Sequence, residues 1–121
     1  MNFELSQRFF FEAAHTLNRK VDTESSARIH GHTYYATVTI SGQPDPVTGM
    51  LVDLALLRKE IEIVRESLDH HYLNDLEALG PVTLENLCRY IYAQLKPRLG
   101  SIKRVLVERP ASGDACSMAA D

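Results

Sequence analysis

The chain has 121 residues, enough for one domain (1–121) with its own core and too few for two. Apolar residues make up 45% and charged residues 24%, the balance of a soluble globular protein. A net charge of −3 supplies no general basic field, so neither nucleic acid nor a membrane surface is an expected partner. A local basic pocket for a phosphorylated small molecule is compatible with that charge.

Cys88 and Cys116 form no C-x-x-C pair and no disulfide framework, which suits a reducing cytoplasm. The N-terminus lacks a basic stretch followed by an apolar run, so no secretory signal is expected. No stretch approaches the ~18 apolar residues of a membrane span.

In chain order, Phe3, Leu5, Phe9, Phe11 and Ala13 share one parity against Glu4, Ser6, Arg8 and Glu12, which predicts a half-buried strand. His15 continues the apolar parity. Residues 16–29 are polar, Asn18, Arg19, Lys20, Asp22, Glu24 and Ser25 among them, and read as a loop long enough to be functional. Tyr34, Ala36, Val38 and Ile40 then alternate with Thr33, Tyr35, Thr37 and Thr39 in a second strand, with His30 and His32 on the apolar parity. A turn follows from Ser41 to Gly49, and Met50-Leu51-Val52 suggests a short return strand.

Asp53 caps an amphipathic helix whose apolar stripe is Leu54, Leu57, Ile61, Val64 and Leu68. Asp69 to Gly80 is a polar connection. Thr83 caps a second helix carrying Leu84, Leu87, Cys88, Ile91 and Leu95, which Pro97 and Gly100 end. Ile102 to Glu108 and a weaker segment around Ala115 to Ala119 complete a β-β-α-α-β-β order. That order implies an α+β fold, an antiparallel four-stranded sheet with two helices on one face. The uncovered face would gain a cover by oligomerisation.

Three of the five histidines sit at strand ends on apolar parity. His30-Gly31-His32 puts two imidazoles on one face, ~6.6 Å apart along a strand, and Gly31 leaves the backbone free to bend or approach closely. If His15 lies on the paired strand, the three rings converge. Three neutral imidazoles with an open fourth position form a catalytic metal arrangement, most consistent with zinc. Asp69 beside His70 can act as an acid/base pair in which the carboxylate orients the ring, or can simply end a helix. Glu108 at a strand end can accept two N–H donors from a guanidine-like ring edge, or face solvent. Cys88 reads as a core residue; Arg19, Lys20 and Arg28 are basic loop residues within reach of a phosphate.

Phe11-Glu12-Ala13-Ala14-His15, Ile29-His30-Gly31-His32, Leu68-Asp69-His70-His71-Tyr72-Leu73-Asn74-Asp75, Thr83-Leu84-Glu85-Asn86 and Val107-Glu108 resemble, in order, the motifs of the 6-pyruvoyltetrahydropterin synthase / 6-carboxytetrahydropterin synthase family. The resemblance implies the tunnelling fold, with sheets joined into a barrel by trimers and trimers stacked as hexamers, and active sites between subunits of the homo-oligomer. It implies zinc on His15, His30 and His32, proton transfer by Asp69 and His70, a pterin anchored by Glu108, and Thr83 and Glu85 helping to bind it. The implied substrate is 7,8-dihydroneopterin triphosphate, and for bacterial members the product is 6-carboxytetrahydropterin, on the way to the 7-deazaguanine of queuosine.

One departure matters. Where family members carry a catalytic Cys, four residues before the first His of H-G-H, this chain has Ser26; where another branch has Glu, three residues before it, this chain has Ala27. A serine hydroxyl is a far poorer base than a thiol. Ser26, Glu24, Cys116 or the Asp69–His70 pair alone remain as the base. Aldol cleavage or epimerisation of a related pterin, and pterin or metal binding without catalysis, remain as alternative outcomes.

Overall fold

The computed structural model describes residues 1–21 and 23–120; Asp22, expected in the loop, and Asp121 lie outside them. Strand β1 (Phe3–His15) pairs antiparallel with β2 (His30–Gly42) over its whole length, from Phe3 opposite Gly42 to His15 opposite His30. Strand β3 (Ile102–Arg109) pairs with β2, setting Tyr35 opposite Glu108, and β4 (Asp114–Ala119) closes the sheet in the order β1-β2-β3-β4. Helices α2 (Leu54–Leu68) and α3 (Leu84–Leu99) bury their apolar stripes on one face of it.

The core lies between those layers. Phe11, Tyr34, Ala36, Val38, Val105 and Val107 from the sheet meet Leu57, Leu68, Leu87, Ile91 and Leu95 from the helices, all essentially inaccessible to water. The opposite parity, with Arg8, Phe10, Glu12, Tyr35 and Glu108, occupies the other sheet face, because successive strand residues alternate sides.

The helix starts follow their caps. The Asp53 carboxylate accepts from the Ala55 N–H at 2.9 Å, and the Thr83 hydroxyl accepts from the Asn86 N–H at 3.1 Å. The second helix runs past Pro97 to Leu99, since a proline in the last turn removes only one backbone bond, and ends at Gly100 (φ 71°), whose N–H returns to the Lys96 carbonyl.

Two expectations need correction. The polar stretch 16–29 is not wholly loop: it contains α1 (Thr23–Ala27), a helix too short to show a periodic signature. Met50-Leu51-Val52 forms no strand. The Asp45 carboxylate accepts from the Val47 and Thr48 N–H groups at 2.7 and 3.1 Å, and Asp45 N–H bonds the Met50 carbonyl at 2.9 Å. The segment closes into a compact turn instead.

The connection after α2 positions chemistry. An edge strand presents free N–H and C=O groups that demand partners. The Glu12 N–H donates to Asp69 Oδ1 at 2.9 Å, the His70 N–H to the Glu12 carbonyl at 2.6 Å, and the Ala14 N–H to the His71 carbonyl at 3.0 Å. Asp69-His70-His71-Tyr72 is thereby laid along the outer edge of β1. His70 adopts φ 58°, a left-handed conformation uncommon for a residue with a side chain.

Candidate metal centre

The paired ends of β1 and β2 bring His15, His30 and His32 to the helix-facing side of the sheet. One ring nitrogen from each lies within 4.8 Å of the others. Edge-to-face ring pairs, with centroids 4.5 to 4.9 Å apart, describe three imidazoles pointed at one locus.

Hydrogen bonds determine which nitrogen faces that locus. A carbonyl only accepts, so the Val82 carbonyl, 3.1 Å from His15 Nδ1, and the Arg28 carbonyl, 2.7 Å from His30 Nδ1, each place the ring proton on Nδ1. Nε2 of both rings is left as a lone pair. Arginine only donates, so Arg109 Nη1, 3.3 Å from His32 Nε2, makes that nitrogen an acceptor too. His15 Nε2 and His32 Nε2 then face each other at 3.0 Å. Two lone pairs at that distance repel unless a cation lies between them. A tetrahedral ion bound at 2.0–2.1 Å sets its ligand nitrogens roughly 3.3 Å apart, so the His15–His32 pair stands near that spacing, with His30 offering a third nitrogen within 4.8 Å. Carbonyls holding the remote ring nitrogen are the usual outer support of such ligands.

Protonation is the alternative remedy, and the surroundings oppose it. His15 is 2% exposed, and burial lowers its pKa, with the neighbouring His30 and Arg109 acting the same way against the Val82 carbonyl. For His32, burial first and Arg109 second push the pKa down to about 4. Both rings are neutral near pH 7, as metal ligation requires.

The cavity beside the triad is lined by Ser26, Arg19, Arg109 and Asp114, and extends to Thr83 and Glu85 at the start of α3. Ser26 therefore does lie beside the histidines. It is 5% exposed, and its hydroxyl donates to the Thr23 carbonyl at 3.2 Å. Glu24 is turned outward into an ion pair with Arg28 at 2.8 Å. Cys116 packs against the apolar core, where its carbonyl receives the Cys88 thiol at 3.4 Å. Burial pushes the Cys88 thiol up to about 12, so it is a core residue, as its helical position implied.

His70 belongs to a second cavity, on the other side of the sheet end. It is lined by Glu12, Ala14, Thr33, His70 and Tyr72, and it touches His32. Asp69 Oδ2 lies 2.8 Å from His70 Nδ1. The Glu12 N–H, then the His70 ring and Arg65, hold the Asp69 carboxyl below its ordinary pKa. The Asp69 carboxylate accepts from His70 Nδ1 and so fixes the orientation of this exposed ring. Glu108 shares the bare sheet face with Tyr35 and pairs loosely with Arg8 at 3.8 Å; it is not brought to the triad within this chain.

Sequence reasoning missed Arg109 and Asp114. Arg109 Nη2 bonds Asp114 Oδ2 at 2.8 Å, and the guanidinium sits against the buried Tyr34 hydroxyl. The signal was parity: Arg109 is in phase with Val105 and Val107, hence on the helix side, and Glu108 is out of phase. Gly31 also differs from expectation. A Cβ there would meet the Ala13 carbonyl at an ordinary 3.5 Å, so no close approach demands glycine.

The fold and the triad define a class, an α+β layer protein with a three-imidazole metal-binding cluster at the end of its first two strands. Comparison with known proteins makes it specific. The family model described as 6-pyruvoyl tetrahydropterin synthase matches residues 4–119, and the chain belongs to that family of pterin synthases. The human 6-pyruvoyl tetrahydrobiopterin synthase is 35% identical, over 77% of this chain and 74% of the human one. The 6-carboxy-5,6,7,8-tetrahydropterin synthase of Bacillus subtilis (strain 168) is 36% identical, over 84% of this chain and 71% of its own. The solved structure of Caenorhabditis elegans 6-pyruvoyl tetrahydropterin synthase has a TM-score of 0.84 at 26% identity, covering 100% of this chain and 97% of that one.

Proposed function

We propose that the protein is a zinc-dependent pterin lyase that acts on 7,8-dihydroneopterin triphosphate and gives 6-carboxytetrahydropterin, or a closely related tetrahydropterin, in the cytoplasm and on the route to 7-deazaguanine nucleosides. The observation that carries this reading is the convergence of one ring nitrogen from each of three histidines in a family of pterin synthases. Nitrogen-only ligation with an open position suits zinc among the divalent ions. When bound, the ion supplies Lewis acidity toward oxygens of the substrate side chain.

The chain's own residues supply the rest. His15, His30 and His32 orient that acidity. His70 lines a cavity that reaches His32, and Asp69 orients its ring through Nδ1, the arrangement of an acid/base pair. Glu108 is proposed to take the ring edge of the pterin by paired N–H donors, and Thr83 and Glu85 border the same entrance. Glu108 and the triad lie on opposite sheet faces, so the complete site is proposed to form across subunits of a homo-oligomer whose sheets join into a barrel.

A second reading has its own observation. The Ser26 hydroxyl is committed as a donor to Thr23 and offers no base where relatives are expected to hold a thiol. That favours an aldolase or epimerase outcome run by Asp69–His70, or pterin binding without turnover. Incubating zinc-loaded protein with dihydroneopterin triphosphate and analysing the products separates these. Loss of triphosphate with formation of a 6-carboxy product supports the first reading; an epimerised or aldol-cleaved pterin supports the second; no turnover at full metal occupancy overturns both catalytic readings.

A further inference from the structure

Arg109 stands directly beside the candidate metal centre. Its Nη1 takes the His32 Nε2 lone pair at 3.3 Å, the same lone pair an ion on the triad requires. One lone pair serves one partner, so a bound ion releases that donor. Arg109 Nε is buried and, among the described residues, has no hydrogen-bond partner. Nη2 is paired with Asp114 at 2.8 Å. With a divalent ion on three neutral rings beside Arg109 and Arg19, this pocket holds more positive charge than the Asp114 and Glu85 carboxylates offset, and Arg109 Nη1 becomes a spare donor next to the ion.

We propose that Arg109 is an oxyanion-binding residue of the metal centre, which holds a carboxylate or phosphate oxygen of the exogenous ligand beside the ion. The spare donors of a planar guanidinium match the oxygens of such a group, and a charge-assisted bond in a half-buried cavity is among the stronger polar contacts. Arg19 borders the same cavity and adds positive charge at its entrance. Asp114 acts in the opposite sense: it holds Arg109 near His32 and damps its charge. The inference rests on the metal reading of the triad and not on the pterin reaction, so it survives a failure of the proposed chemistry.

The test needs no turnover. The protein is loaded with cobalt(II), whose visible spectrum reports its coordination, and titrated with acetate and, separately, with inorganic phosphate. Wild type, Arg109→Met and Asp114→Asn are compared at matched cobalt stoichiometry. Arg109→Met is expected to weaken anion binding about tenfold or more, while binding cobalt more tightly in the absence of anion because competition for His32 is gone. Asp114→Asn is expected to strengthen anion binding severalfold. A response to acetate marks a carboxylate pocket, and a response to phosphate alone marks a site for the substrate's phosphates; either supports the proposal. Anion affinity unchanged in Arg109→Met, or wild type that responds to neither anion, overturns it. Failure to bind cobalt at all is seen first as stoichiometry and overturns the metal reading, and this inference with it.

Discussion

Replacing His32 with Ala removes one of the three converging nitrogens while touching little of the core. The ring is only partly buried and lies at the strand end, so the metal-free fold is expected to lose about 1 kcal/mol or less. The metal loses far more. Structural zinc sites are worth about 10–16 kcal/mol over four ligands, which is roughly 2.5–4 kcal/mol per ligand. Loss of one is therefore expected to weaken binding by about two to three orders of magnitude. Wild type at zinc a hundredfold above its Kd gains about 2.7 kcal/mol by linkage. For a chain of this size one kcal/mol moves Tm by roughly 4 °C, so chelation should lower the wild-type Tm by about 10 °C. The same chelation should leave His32→Ala nearly unmoved. Bound metal is counted by elemental analysis after gel filtration, and Tm is read by calorimetry with and without chelator. His71→Ala is the control: its ring is exposed and bonds the Asp69 carbonyl at 2.8 Å, away from the triad. Sub-stoichiometric metal in wild type, with no chelator effect and no difference in His32→Ala, would refute the tautomer argument from which the site is built.

Asp69→Asn should leave metal content intact, cost about 1 kcal/mol in urea denaturation through the weakened Glu12 and His70 bonds, and cut turnover by about 10²–10⁴-fold; unchanged turnover would remove His70 from the chemistry. Acidification should destabilise the metal-free protein. His32 has a folded pKa of about 4, below its ordinary value, so as pH falls from about 6.5 toward 4 the unfolded chain takes up a proton that the folded chain does not. Stability is then lost across that window, by about 1–2 kcal/mol after allowance for partial burial. The urea midpoint at pH 7 and pH 5 measures it, His32→Gln should abolish its share, and a midpoint that rises on acidification contradicts the assignment. Gly31→Ala should fold normally and keep the metal, because the added Cβ meets only ordinary contact; a stability loss above about 2 kcal/mol would show that glycine is required after all.

The sheet was legible because period-two alternation is a direct consequence of strand geometry, and it carried the histidines with it. His15, His30 and His32 share parity with Phe11, Ala13 and Tyr34, and antiparallel pairing sets His15 opposite His30. The helices were legible from their stripes and from the caps at Asp53 and Thr83. The short helix at Thr23–Ala27 and the turn held by Asp45 were not. Five residues hold no period, and an Asp that folds its own backbone leaves no mark on the hydrophobic pattern that follows. The path of Asp69–Tyr72 along β1 was also hidden, since it depends on which strand is left at the sheet edge, a property of the assembled fold rather than of any local segment.

The division of the site between two faces has a deeper consequence for reading sequences of this kind. Motif resemblance placed Glu108, Asp69, His70 and the triad in one functional set, whereas parity alone separates them. Val105 and Val107 face the helices, so Glu108 faces away and Arg109 faces inward. Taken together, these force a choice. Either Glu108 plays no part in the same reaction as the triad, or the reaction volume is closed by a neighbouring copy that brings a second sheet face to the first. Arg109 sharpens the choice. Its guanidinium lies against His32 and is aligned by Asp114, so this side of the sheet offers a place for an anionic group. A pterin that presents its charged substituent there would extend its ring toward the sheet end, where His32 touches both cavities. His32 is thus shared by the cavity that holds Arg109 and Asp114 and the cavity that holds His70.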